Sequence, residues 1–353
     1  MSLEGTRPAR EGEALDEARI YPWLREVLGQ PHARIDVGQF PGGHSNLTYA
    51  ALVGDREVVV RRAPIGASIK NAHDMGREWR VLSALSPVFP YAPKPLAFCD
   101  DTERLGAAHL VMERVPGVIL RREAPVGMVL SEDVARRLCT SFVEALATLH
   151  AFDHRALGLS DFGRPDEYIA RQVSGWTERY RRAQTDALGD MDTVATWLAA
   201  QTPASTGVSV LHNDFKFDNL VLDPSDPTKL RGILDWEMAA VGEPLMDLGT
   251  ALSYWVEADD AEALHRFRFG PTHLPGMLSR NALFDAYLAR SGRTTRDAVF
   301  FAAFGLFKTA VVAQQIYARF QRGLTKDARF AVFIEGVKIL AGRAADTLGS
   351  GRL

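Results

Sequence analysis

The sequence predicts an α+β chain in two lobes, a small β-rich lobe followed by a larger, mainly helical one. Three observations predict it. Short β-branched runs and turns crowd the region 20–115. Helical text dominates from 131 onward, broken by only three strand-like pieces. A length of 353 residues is long for one compact core and comfortable for two. We therefore divide the chain into a flexible leader (1–19), an N-lobe (20–115) and a C-lobe (116–353).

The elements follow in order. Residues 39–46, Gln-Phe-Pro-Gly-Gly-His-Ser-Asn, form a turn-rich loop between two strand candidates. Residues 57–62 are a β-branched run closed by Pro64. Residues 71–85 read as an amphipathic helix with Met75, Trp79, Leu82 and Leu85 near one face. Residues 109–113 form another strand, which Pro116 and Gly117 end. A helix over 131–150 opens on Ser131 as N-cap with Glu132 and Asp133 behind it, and carries the stripe Val134, Leu138, Phe142, Leu146, Leu149. Strand-like pieces follow at 208–211, 220–222 and 232–234, with an Asp-Pro-Ser-Asp-Pro turn at 223–227. Helical text resumes near Leu245. The apolar stretch 299–316 is interrupted by Lys308, Gln314 and Gln315 and reads as a buried helix rather than a membrane span.

Composition removes several function classes. The formal charge of −3 argues against a general nucleic-acid binder and supplies no polybasic membrane anchor. The two cysteines, Cys99 and Cys139, give neither metal-ligand spacing nor a disulfide framework, and their usage fits a reducing cytoplasm. The polar N-terminus lacks the apolar core of a secretory signal. The phosphate loop Gly-x-x-x-x-Gly-Lys-Ser/Thr is absent, so this is not a P-loop enzyme.

The chemistry concentrates in 210–222, Val-Leu-His-Asn-Asp-Phe-Lys-Phe-Asp-Asn-Leu-Val-Leu, and in 232–237, Gly-Ile-Leu-Asp-Trp-Glu. Both polar clusters end apolar strands, where a loop is held rigidly with its side chains exposed. Phosphoryl transfer needs a carboxylate to orient the acceptor hydroxyl and oxygen ligands for magnesium. Asp214 suits the base, Asn219 and Asp235 suit the metal, and Lys216 could reach the γ-phosphate as a point charge. The bland alternative, a turn Asp and a capping Asn, fits the flanking strands less well. Asp218 reads equally as a turn cap. His150 and His154 lack a third ligand and read as structural. The stripe Tyr168, Gln172, Trp176, Tyr180 reads as packing before it reads as a substrate cradle.

At these residues the sequence resembles the protein-kinase-like phosphotransferases, specifically the aminoglycoside phosphotransferase-like family, in the branch related to kinase domains fused to acyl-CoA dehydrogenases. Asp214 with His212 and Asn219, and Asp235 with Glu237, carry the likeness. So do Gly42 to Asn46, Val60 to Arg62, Arg77 to Leu82 and Gly242 to Leu248, all in the family's order over roughly 30–340. The resemblance implies a bilobal fold with a small antiparallel-sheet N-lobe, ATP or GTP as donor and Mg2+. It implies that Gly43, His44, Ser45 and Asn46 cover the phosphates. Arg61 falls where kinases keep a phosphate-touching lysine, and Glu78 where its ion-pair partner lies. Glu113 to Val115 would form the hinge whose backbone meets a purine, and His212 and Asp247 would brace the catalytic loop. The departures are Asn213 in place of a family Gly, and Arg61 in place of Lys. Trp236 and Glu237 follow Asp235 instead of Phe-Gly, and no activation segment follows, which argues against a protein kinase. The expected activity is a small-molecule kinase acting on a hydroxyl. Arg164, Arg171, Arg179, Arg181 and Arg182 favour an anionic acceptor, a hydroxy acid or hydroxyacyl compound, over an aminoglycoside. The rival reading is a pseudokinase scaffold that binds nucleotide without transfer. Oligomeric state is not legible.

Overall fold

The structure is a computed structural model that describes residues 3–41, 46–62, 75–325 and 328–353. Its chain divides into two compact units. The first comprises Met1–Gly117 together with Arg231–Ala239, and the second Val118–Leu230 together with Ala240–Leu353.

The first unit is built on α1 (Glu17–Leu28), β1 (Ile35–Gln39), β2 (Leu47–Val53), β3 (Arg56–Arg62), α2 (Met75–Leu85), β4 (Pro95–Cys99), the short α3 (Thr102–Leu105) and β5 (His109–Glu113). The strands form one sheet in the order β1-β2-β3-β5-β4, every pair antiparallel. The short β-branched runs explain it: Tyr49, Val58, Val60 and Val111 alternate into a core closed by Ile20, Trp23 and Leu24 of α1. Helix α2 begins at Met75 among the described residues; 71–74 of the expected helix lie outside them.

Two expectations are corrected here. Residues 7–19 are not a loose leader. Arg7 bridges to Gln39, Leu15 is buried in the core, and the Glu13 carbonyl accepts hydrogen bonds from the Tyr49 hydroxyl and from Arg62. Helix α1 already starts at Glu17. Buried donors on β2 and β3 need an acceptor, and the N-terminal segment supplies it. Nor does everything after 116 fold with the helical part. Arg231–Ala239 belongs to the first unit. There the Ile233 amide donates to the Tyr91 carbonyl at 2.7 Å, and Trp236 is buried edge-on to Phe89, with its Nε1 on the Ile233 carbonyl.

The second unit contains α4 (Glu132–Leu149), α5 (Tyr168–Ala183), α6 (Gly189–Ala200), β6 (Ser209–Leu211), β7 (Leu220–Leu222), the strand β8 (Leu230–Ile233, most of which lies in the first unit), β9 (Ala240–Gly242), α7 (Pro244–Ser253), α8 (Glu262–Arg266), α9 (Arg280–Ser291), α10 (Ala298–Gln321) and α11 (Phe333–Ser350). As read from the sequence, the Ser131 side chain caps α4 by accepting from the Val134 amide. The antiparallel pair β6–β9 sets Leu211 opposite Ala240. Helix α10 is long and apolar enough to cross a membrane, yet 72% of that stretch is buried inside the protein. It is the central helix of its unit, hydrophobic on most sides because neighbours cover most sides. Its crossing with α7 is a backbone contact: a Cβ on Gly305 would lie 1.9 Å from the Gly249 carbonyl oxygen, and one on Gly249 would lie 2.0 Å from that of Phe301. That approach sets Lys308, a turn further along α10, beneath the loop that follows β6.

Candidate active site

In the second unit the chain leaves β6 at Leu211 and turns through Asn213, whose φ of 64° is left-handed. The family glycine is replaced here by a residue type that tolerates this region. Asp247, fully buried on α7, holds the turn. Its two carboxylate oxygens accept from the His212 amide at 2.6 Å and the Asn213 amide at 2.7 Å, and from His150 Nε2 at 3.1 Å. Burial works against the charged form. The His150 hydrogen bond and the nearby His212 and Lys308 more than offset it, so the Asp247 carboxyl sits below its usual range. The Tyr287 hydroxyl and His150 Nδ1 lie 2.6 Å apart, fixing the ring from its other side. From below, Lys308 Nζ donates to the Asn213 carbonyl at 2.8 Å. Burial lowers the Lys308 ammonium to about 8, against the pull of Asp247 and Asp214.

This brace presents Asp214. Its Oδ1 accepts from the Tyr254 hydroxyl at 2.6 Å and its Oδ2 from Asn219 Nδ2 at 2.8 Å. Lys216 Nζ contacts both oxygens, at 3.0 and 2.8 Å, and lies over the rings of Tyr254 and Phe269. Burial opposes the Lys216 charge, but the Asp214 carboxylate outweighs it and holds the ammonium above its ordinary range. Tyr254 is likewise held above the usual phenol value, by burial first and the Asp214 charge second. Asn219 Nδ2 also donates to the Asp214 carbonyl at 2.9 Å, so the carboxamide oxygen has no hydrogen bond among the described residues. Asp218 pairs with Arg121 at 2.9 Å.

In the first unit a second polar cluster forms around Arg61 of β3. The guanidinium is buried and meets three carboxylates: Glu78 at 2.5 Å, Asp235 at 2.8 Å and Glu237 at 3.2 Å. Asn46 Nδ2 donates to Glu237 Oε2 at 2.5 Å. Burial penalises the Arg61 charge, but Glu78 and Asp235 more than compensate and raise it. Burial raises the Glu78 carboxyl to about 7; Arg61 pulls it down and the Asp235 charge pushes it up again. Glu78 Oε2 and Asn46 Oδ1 are buried acceptors with no hydrogen-bond partner among the described residues. Arg61 thus faces three acids at once. Asp235, at φ 67°, presents a side chain that is 37% exposed.

The structure thus gathers the sequence-predicted residues into two groups: Asn46, Arg61, Glu78 and Asp235 in one unit, and Asp214, Lys216 and Asn219 in the other. Arg61 pairs with Glu78 as expected. It is also spent on Asp235 and Glu237, so in this form its guanidinium is held by acids. Gly43, His44 and Ser45 lie outside the described residues. At the expected hinge, the Glu113 amide is taken by the Lys94 carbonyl at 2.9 Å, whereas the Val115 backbone makes no hydrogen bond among the described residues. His150 serves Asp247, and no group of three His, Cys, Asp or Glu among the described residues could hold a metal ion unaided. Sequence reasoning left Glu237, Tyr254 and Lys308 unassigned. Glu237 had a signal in the Asp-x-Glu spacing, and Lys308 had one as a lone cation in an apolar helix. Tyr254 had none.

The curated relatives include acyl-CoA dehydrogenase family member 10 of Mus musculus, 30% identical over 93% of this chain and 31% of its own, and family member 11 of Gallus gallus, 33% identical over 97% and 44%. The chain spans less than half the length of these relatives. Among solved structures, a provisional aminoglycoside phosphotransferase of Ralstonia eutropha matches with TM-score 0.78 and 26% identity over 96% of this chain and 99% of its own. A choline kinase of Cryptosporidium parvum shares the fold at TM-score 0.59 and 14% identity, covering 95% of this chain and 99% of its own. The model of the phosphotransferase enzyme family (APH) matches residues 36–283. The chain belongs to that family, with the bilobal kinase-like α+β fold and the enzyme class of a phosphotransferase that acts on hydroxyl groups.

Proposed function

We propose that the chain is a magnesium-dependent kinase that moves the γ-phosphoryl group of ATP or GTP onto the hydroxyl of a small hydroxy acid or hydroxyacyl compound. The observation that carries the reading is the Asp214 carboxylate, fixed by Tyr254, Lys216 and Asn219 on a loop braced by Asp247. A carboxylate so held can accept the hydroxyl proton of an acceptor as its oxygen attacks the γ-phosphorus in line. The bond from that phosphorus to the bridging oxygen breaks, and the nucleoside diphosphate leaves. Lys216 offsets charge that gathers on the phosphoryl oxygens. Metal ligation is assigned to Asn219, through its unpaired carboxamide oxygen, and to Asp235. These hard oxygen donors fit magnesium, which takes one or two carboxylates and completes its shell with phosphates and water. Bound there, the ion supplies electrostatic stabilisation of phosphate charge. The partly exposed Asp235 carboxylate supports a divalent cation on that unit. The names of the curated relatives tie them to acyl-CoA chemistry, which supports an acyl-derived acceptor.

Calorimetric titration of ATP and GTP with and without magnesium tests the reading, on wild type and Asp235→Ala. Magnesium-dependent binding lost in the variant is the expected result. No binding of either nucleotide by folded wild type would sink it and leave the scaffold reading. For transfer itself, Asp214→Ala should lower turnover by roughly 10²–10⁴-fold, the scale of a positioned acid or base. Full activity in that variant would remove Asp214 from the mechanism.

A further inference from the structure

The arginines around α5 do not share one environment. Arg164, Arg181 and Arg182 are exposed. Arg182 lies 3.6 Å from Glu178, and Arg171 donates to the Asp166 and Arg164 carbonyls. Arg179 differs. It is half-buried, its guanidinium carbon stands 4.6 Å from the centre of the Trp176 ring, and it has no hydrogen bond or ion pair among the described residues. Burial first, then Arg182, depresses its pKa, and Glu178 opposes them only in part. A second cation, Lys308 Nζ, lies 5.8 Å from the centre of the same ring and has no carboxylate within ion-pair distance among the described residues.

The acids nearby are already committed. Asp247 is taken by two loop amides and His150, and Asp214 by Tyr254, Lys216 and Asn219. Arg179 and Lys308 stand against the same Trp176 ring, and Lys308 Nζ is hydrogen-bonded to the carbonyl of Asn213, next to Asp214, which places these cations beside the catalytic loop. A partly desolvated charge without a counterion is costly until an anion arrives. Tyr168 and Tyr180 of the same stripe are packing residues, set against Gly242 and Phe307. Trp176 is the member of the stripe that carries cations.

We propose that Arg179, stacked on Trp176, determines the charge of the acceptor: it takes the acceptor's carboxylate or phosphate while the acceptor's hydroxyl meets Asp214. This rests on the kinase reading above and adds the residue that sets substrate charge. A guanidinium offers a planar fork to either anion, and the indole beneath fixes the plane of that fork. Lys308 adds to the field, but its ammonium is occupied by the Asn213 carbonyl and Thr250. A polycationic acceptor would be repelled from the same spot.

The test uses 3-hydroxybutyrate, glycerol 3-phosphate and the uncharged 3-hydroxybutyramide as probes. Each is titrated calorimetrically into the full chain, with and without a magnesium–nucleotide complex, for wild type, Arg179→Met and Arg179→Lys. Wild type should bind at least one anion and not the amide. Arg179→Met should weaken that binding at least tenfold, Arg179→Lys less, with nucleotide binding unchanged in both. Binding of the acid alone or the phosphate alone names the source of the anion. Equal binding of acid and amide, unaltered anion binding in Arg179→Met, or no anion binding by wild type each overturns the proposal. Failure of wild type to bind nucleotide strikes the kinase reading instead, so the two failures are distinguishable.

Discussion

Asp214 receives four donor contacts on two oxygens, and they are unequal in kind. Lys216 and Asn219 come from its own loop and move with it. Tyr254 comes from the end of α7 and ties the carboxylate to the body of the unit. Its phenol is therefore a positioning group. Tyr254→Phe removes one hydrogen bond to a charged acceptor while keeping the ring that packs on Phe269. A bond of that kind is worth about 1.5–3 kcal/mol, so turnover should fall roughly tenfold or more with nucleotide affinity unchanged. Steady-state kinetics beside a calorimetric nucleotide titration checks this. A fall in nucleotide affinity without a fall in turnover would refute the positioning role. The same residues show what a motif conveys. His212, Asp214 and Asn219 stand close in sequence because a turn must bring a base and a carboxamide together. Tyr254 and Lys308 reach that turn from helices far along the chain, and no local spacing announces them.

The α7–α10 crossing is a prediction about elements. Two glycines let backbones touch where any side chain would collide with a carbonyl. Gly305→Ala should destabilise by several kcal/mol, the upper end of overpacking costs, because backbone has little room to yield. Gly349→Ala on α11, where an added Cβ meets nothing within 4 Å, should be neutral or stabilising by up to about 1 kcal/mol. Chemical denaturation of both variants decides it, and similar costs for the two would show that the crossing can relax. Strand and helix types were legible here because alternation and three-to-four spacing report burial on one face. The glycine contact was not, since a glycine in an apolar helix looks the same whether it touches a neighbour or open space.

Across the molecule, the titration of buried groups links stability to pH. His109 on β5 is buried, and burial lowers it from 6.5 to about 4, with the Ala107 carbonyl opposing and Arg62 adding to the drop. The unfolded chain takes up this proton near 6.5 and the folded chain only near 4. Stability from this residue is therefore complete above 6.5 and lost as pH falls towards 4, by about 3 kcal/mol at most. Glu78 runs the other way. Its folded value of about 7 exceeds the unfolded 4.5, so its contribution is full below 4.5 and lost as pH rises through 7. The difference between wild type and His109→Gln isolates the first effect: denaturant midpoints from pH 4 to 7 should show a shallower acid loss in the variant. Parallel curves would place His109 outside the linkage.

The β-rich run ahead of the helical text and the loop that carries Asp214 and Asn219 could be read from the chain's own pattern, through strand alternation, turn chemistry and functional groups spaced along one loop. The antiparallel pairing and the places of Arg61 and Glu78 came from the family resemblance, because no local spacing joins them. Three features required the folded molecule. Residues 7–19 are fixed by acceptors they offer to buried donors on distant strands. Arg231–Ala239 returns to the first unit because Trp236 buries there and Ile233 finds the Tyr91 carbonyl. Arg179 is singled out from its neighbours only by what Trp176 and Lys308 do around it. Burial, counterion supply and backbone approach depend on residues remote in sequence, so tertiary packing alone could decide them.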